Sequence, residues 1–112
     1  RDRLKRSLQG KVAAEHANTI VLTDEDPRGE DPMLILQEIA SGCVNLLSKN
    51  EVHLIPDRRK AIRQAFAMAK PNDAVILLGK GHENSIIYAD KTLAWDEIKE
   101  ASEALKELGY GV

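Results

Sequence analysis

Three short apolar runs limit what this chain can fold into. They are "NTIVLT" (18–23), "VHLI" (52–55) and "AVILLG" (74–79). Each is rich in β-branched or aliphatic residues and is too short for a helix, so each reads as a strand. The segments between them have helical spacing. From Asp31-Pro32, a suitable N-cap and first helical position, apolar residues fall at 33, 36, 39, 40, 43, 44 and 47, one face of a helix. Pro56-Asp57 opens another, with Ile62, Ala65, Phe66 and Ala69 on one side. Residues 7–17 read as a helix weakened by Gly10. A last helix, about 95–108, is expected to bury Trp95, Ile98, Ala101, Leu105 and Leu108 and to stop at Gly109. "IIYAD" and "TLAW" are short strands or loop.

Strands alternating with helices of this length predict an α/β domain with a mostly parallel sheet and right-handed crossovers. The unbroken apolarity of 74–79 predicts a strand covered on both faces. Ligands in such sheets collect beyond the carboxyl ends of the strands. That edge receives "TDEDPRGED" after the first strand and "GKGHENS" after the third.

Composition removes several function classes. The 112 residues carry a net charge of −2, with 16 basic and 18 acidic side chains, and nothing in that balance favours nucleic acid or an anionic membrane. One Phe, one Trp and two Tyr are few for base stacking. The lone Cys43 cannot close an internal disulfide, which fits a reducing compartment. No apolar run reaches the length of a membrane span, and no signal-peptide pattern appears. The first residue is Arg rather than Met, which suggests a piece of a longer protein.

In "GKGHE", two glycines flank Lys80, so the backbone can turn sharply and present polar groups to a ligand. Lys80 suits an anion and Glu83 an amine; the plain alternative is a turn with solvated charges. The spacing is not that of a phosphate-binding P-loop. In "DEDPRGEDP", Asp24, Glu25 and Asp26 precede Arg28. A guanidinium can grip a carboxylate by two parallel hydrogen bonds, and neighbouring carboxylates can receive an ammonium. One loop can thus hold both ends of an amino acid, although most such loops are only hydrophilic. "RDRLKR" (1–6) suits phosphates or is a solvated tail. His16, His53 and His82 have no metal-site spacing, Cys43 and Trp95 read as packing, and no Ser-His-Asp arrangement can be argued. Two other readings stay open: a receiver-like phosphoacceptor signalling domain with Asp57 as the acceptor, and a stand-alone nucleotide-binding module, which lacks a G-x-G-x-x-G after a strand.

Taken together, "RDRLKR", "TDEDPRGEDP" and "LLGKGHE" in this order resemble the C-terminal domain of the Mur ligases, in particular those adding the third residue of the peptidoglycan stem peptide. "PDRRKAI" (56–62) is similar as well, so the resemblance spans nearly the whole chain. It implies a three-layer Rossmann-like open sheet with helices on both faces. It implies that residues 1–112 are one domain, the amino-acid-binding one, of a protein whose UDP-sugar and ATPase domains lie elsewhere. Such enzymes phosphorylate a peptide carboxylate with ATP, and the incoming amine then attacks the acyl phosphate. ATP and Mg²⁺ would be held mainly by the central domain. This domain would contribute no catalytic residue and no metal ligand, and would be inactive alone.

Residue by residue, Arg1 and Arg28 match arginines that grip carboxylates of the incoming amino acid. Gly79 and Glu83 match positions holding the far amino group of meso-diaminopimelate. Asp26 stands where diaminopimelate-adding members usually have Asn, free to pair with Arg28 or to favour a cationic substrate group. Asp2 and Lys5 match positions near the nucleotide. Arg28 favours a substrate with a side-chain carboxylate, hence diaminopimelate over L-lysine, because an unpaired buried arginine is costly. The implied partners are UDP-N-acetylmuramoyl-L-Ala-D-Glu and a diamino acid, with no nucleic acid or membrane, in a monomeric cytoplasmic enzyme.

Overall fold

Asp31 Oδ1 accepts the Met33 amide at 2.9 Å and Pro32 takes the first helical position, so a helix starts where the sequence predicts one. The computed structural model describes residues 3–43 and 51–110. Chain order in those residues is α1 (Arg3–His16), β1 (Thr19–Leu22), α2 (Pro32–Ala40), a 3-10 turn (Ser41–Cys43), β2 (Glu51–Leu54), α3 (Arg58–Met68), β3 (Ser85–Ile87), β4 (Thr92–Ala94) and α4 (Glu97–Glu107). Positions 44 and 47, expected on the apolar face of α2, lie outside the described residues.

β1 and β2 are parallel, from Thr19 opposite Glu51 to Leu22 opposite Leu54, and α2 lies in the crossover between them. The chain is therefore α/β with a parallel pair. β3 and β4 form a separate antiparallel pair, Ser85 opposite Ala94. The expected strand at 74–79 belongs to neither ladder. It is not covered on both faces either: Ile76 and Leu78 are each 75% exposed, whereas Leu77 packs on the core. Within it, Leu78 O accepts from the Arg58 guanidinium at 2.8 Å instead of from a neighbouring strand.

One core cluster joins Ile62, Ile86, Trp95 and Ala104, with Phe66, Leu77 and Tyr88 against it; the other joins Ala14, Ile20 and Cys43. Cys43 packs there as expected, and burial pushes its thiol up. Gly10 has a packing role that helix propensity does not reveal. A Cβ on Gly10 would collide with the Ile39 carbonyl oxygen, and one on Gly42 with the Ser7 carbonyl. α1 thus rests backbone-to-backbone on α2 and the turn after it.

α4 departs from the apolar stripe expected of it. Ile98 and Leu108 are exposed, while Glu97, Glu100 and Ala104 are buried. The cause is charge on the facing helix. Arg59 Nε and Nη2 donate to the two Glu100 oxygens at 3.0 and 2.9 Å, and Arg63 does the same to Glu107 at 2.9 and 2.8 Å. The α3–α4 seam is lined by ion pairs, so a hydrophobic periodicity misreads it.

Candidate amino-acid site

The loop after β1 is held at its base and at its tip. At the base, Thr23 Oγ1 and the Asp24 amide both donate to Pro56 O, at 3.1 and 3.2 Å. At the tip, the Arg28 amide donates to Ile87 O at 2.9 Å, and Arg28 forms an isolated bridge with Tyr88. Arg28 has a φ of 56°, a left-handed backbone that non-glycine residues rarely adopt. Its exposed side chain has no hydrogen-bond or ion-pair partner among the described residues, unlike the buried Arg6 and Arg58.

Arg6 and Arg58 build the walls. Arg6, only 6% exposed, grips Glu30 through two hydrogen bonds (3.0 and 2.7 Å) and reaches Glu38 at 2.8 Å. The basic stretch is therefore helical from Arg3 and is not a solvated tail at Arg6. Arg58 donates to Glu97 at 3.0 and 2.6 Å, to Asp24 O at 3.1 Å and to Leu78 O. Burial opposes ionisation of Glu97, but hydrogen bonds from Arg58 and Trp95 outweigh it and hold the carboxyl below its ordinary range.

Lys80 joins the two loops. Its side chain is wholly buried, and its ammonium donates to Asp26 Oδ1 at 2.9 Å and Glu83 Oε1 at 2.8 Å. Burial disfavours this charge, yet the two carboxylates win and raise the lysine above its ordinary value. Asp26 Oδ1 also takes the Ile87 amide at 2.9 Å. Lys80 is thus closed off from any anion, and Asp26 pairs with it rather than with Arg28. Glu83 is more open, with a side chain 57% exposed and no partner for Oε2 among the described residues.

The loop glycines fit this approach. Gly79 (φ 105°) and Gly81 (φ 51°) are both left-handed, and a Cβ on Gly79 would press on the Glu25 carboxylate. Asp24 is nearly sealed: Oδ2 accepts the Tyr88 hydroxyl at 2.8 Å, while Oδ1 is buried with no hydrogen-bond partner among the described residues. Burial raises its carboxyl despite the Tyr88 hydrogen bond, and the nearby Asp57 adds to the rise.

Arg28 lines two concavities. One, of about 570 Å³, is walled by Asp24, Asp57, Arg59, Tyr88 and Trp95; the other, of about 360 Å³, by Lys5, Thr23, Glu25, Asp26 and Leu36. Lys5, Asp26 and Arg28 thus share the smaller concavity, whereas Gly79 and Glu83 line neither; Glu83 is tied to Asp26 through Lys80. Arg1 and Asp2 lie outside the described residues. Asp57 caps α3, accepting the Arg59 and Lys60 amides. The sequence reading missed the bridging roles of Lys80, Arg6 and Arg58. The only cue was an excess of charge in segments that also carry helical spacing.

Comparison with known proteins shows the family of the chain. Residues 1–81 match the family model described as Mur ligase, glutamate ligase domain. A UDP-N-acetylmuramyl-tripeptide synthetase of Roseiflexus sp. (strain RS-1) is 54% identical over 99% of this chain and 22% of its own length. A UDP-N-acetylmuramoyl-L-alanyl-D-glutamate--2,6-diaminopimelate ligase of Solibacter usitatus is 44% identical over 98% of this chain and 22% of its own. The solved structure of a ligase with that same diaminopimelate name superimposes with a TM-score of 0.87 at 34% identity, over 99% of this chain and 22% of that one. The chain spans about a fifth of the length of these relatives. By sequence and by fold, it belongs to the Mur ligase family, whose C-terminal domain it matches.

Proposed function

We propose that this domain receives the incoming amino acid in an ATP-dependent ligase that extends UDP-N-acetylmuramoyl-L-Ala-D-Glu during peptidoglycan synthesis, and that the amino acid is meso-diaminopimelate rather than L-lysine. What supports this reading is an exposed Arg28 guanidinium with no partner among the described residues and a Glu83 side chain 57% exposed, on two loops joined by the Lys80 contacts to Asp26 and Glu83. Such groups suit a far end, away from the reacting amine, that bears both a carboxylate and an ammonium, which diaminopimelate has; the far end of lysine has the ammonium alone. Arg1 would add a second carboxylate contact.

ATP and Mg²⁺ fit poorly on this domain's own residues. Its one Gly-Lys-Gly segment has the lysine sealed by two carboxylates, so it offers no phosphate cradle. Among the described residues, no group of three His, Cys, Asp or Glu stands ready for a metal ion. The nucleotide would be held by another part of the ligase, with Asp2 and Lys5 at its margin, and the isolated domain would not turn over.

The finer architecture we infer is a three-layer Rossmann-like sheet. Arg58 contacts both Asp24 O and Leu78 O, so the end of the 74–78 run lies near the end of β1, where a third parallel strand would be. We place the enzyme in the cytoplasm as a monomer, in keeping with the unbridged Cys43. The test is phosphate release by the full-length enzyme with each amino acid. Preferred use of meso-diaminopimelate is expected; equal or better use of L-lysine would overturn the substrate assignment.

A further inference from the structure

Arg58 is buried, and its donors are turned onto acceptors inside the protein. Nε and Nη2 hold the Glu97 carboxylate at 3.0 and 2.6 Å, Nη1 donates to Asp24 O at 3.1 Å, and Nη2 also donates to Leu78 O at 2.8 Å. The two carbonyls lie at the roots of the two loops of the candidate site. Asp24 comes four residues before Arg28, and Leu78 five before Glu83. One planar group therefore touches both loops. Its plane is fixed as well, because Glu97 takes it at two points and is itself held by the Trp95 indole N–H at 2.9 Å. Lys80 joins the same loops farther out, through Asp26 and Glu83. An ammonium is a point donor on a flexible stem, whereas the guanidinium is a rigid fork, so the fork is the better gauge of a distance.

We propose that Arg58 is a positioning residue for the incoming amino acid. Acting through the Asp24 and Leu78 carbonyls, it fixes the spacing between the Arg28 loop and the Glu83 loop, and with it the preference for a substrate whose far end bridges both. A ligand that engages one loop alone gains nothing from that spacing. The inference rests on the amino-acid-site reading above and assigns part of the specificity to a buried side chain that works through backbone carbonyls rather than by touching the ligand.

The test uses the full-length ligase and two substrates: meso-diaminopimelate, whose far end bears both groups, and 2-aminopimelate, whose far end has the carboxylate alone. Arg58→Lys keeps a positive charge beside Glu97 but loses the fork. It should raise the KM for meso-diaminopimelate roughly tenfold, the weight of one hydrogen bond to a charged group, and change that for 2-aminopimelate little. Ile62→Ala is the control for lost stability. It removes core packing from the same helix and offers the loops no hydrogen bond to lose. Its melting temperature should fall while the ratio of the two KM values holds. Should Arg58→Lys not fold, Arg58→Met combined with Glu97→Gln takes its place, since it leaves no unpaired charge and keeps an acceptor for Trp95; the same loss of preference is expected. If the Arg58 variant weakens both substrates alike or neither, or if Ile62→Ala narrows the ratio as much, the positioning inference fails. Glu83→Gln, assayed in parallel, separates the two readings. A narrowed ratio there with none in the Arg58 variant strikes the inference and leaves the amino-acid site standing. An unchanged ratio in Glu83→Gln overturns the site reading and the inference with it.

Discussion

The Arg58 guanidinium and the Glu97 carboxylate form a two-point pair, Nε to Oε1 at 3.0 Å and Nη2 to Oε2 at 2.6 Å, with both side chains buried. Arg58 spans from α4 to the carbonyls that end β1 and the 74–78 run. Removing it strands a carboxylate in the interior as well as those carbonyls. Arg58→Ala should therefore destabilise the fold by about 3–5 kcal/mol in urea unfolding, the usual cost of breaking one side of a buried pair. Arg58→Lys should recover only part of this, because an ammonium lacks the planar fork.

The α1–α2 crossing makes a second, independent prediction. Gly10→Ala places a methyl against the Ile39 carbonyl, and the backbone cannot yield as a long side chain would. A loss of about 1–3 kcal/mol is expected, as for other overpacked contacts, despite the better helix propensity of alanine. Gly29→Ala is the control: nothing lies within 4 Å of the added Cβ, and its melting temperature should hardly move.

These cases also show which parts of the fold the chain's letters carry. The α2 start was readable because Asp31-Pro32 acts locally, through one cap and one fixed φ. β1 and β2 were readable from short β-branched or aliphatic runs. Gly10 read as a weak point because its purpose depends on residue 39, which local rules cannot see. The buried face of α4 was misplaced because glutamates ordinarily face water, and here the arginines of α3 reverse that, with Trp95 also donating to Glu97. At the candidate site, the two loops that carry Arg28 and Glu83 were legible by motif. The capture of Lys80 was not, because Asp26 lies 54 positions away in the chain.

Alkaline pH should loosen the loop junction. The Lys80 pKa is raised in the folded state, so its contribution is complete below the ordinary value of 10.5 and is lost as pH climbs through the folded one. Tyr88 acts in the same direction. Burial and its hydrogen bond to Asp24 raise the phenol above 10.0, so the folded state again holds the extra proton. Unfolding free energy should fall as pH rises beyond about 10, and Lys80→Met or Tyr88→Phe should each flatten that slope in denaturant titrations. An unchanged slope in both variants would contradict the assignment of these protons.

The central claim, that Arg28 and Glu83 together receive a substrate end bearing a carboxylate and an ammonium, is tested most directly at Arg28. In the full-length ligase, Arg28→Ala should raise the KM for meso-diaminopimelate by the equivalent of about 1.5–3 kcal/mol, the size of a hydrogen bond to a charged group, at least about tenfold, and affect kcat much less. The substitution touches no buried pair, since the side chain has no partner among the described residues, so the melting temperature should stay near that of the wild type. A KM for meso-diaminopimelate unchanged within error, in a variant that remains folded, would contradict the account.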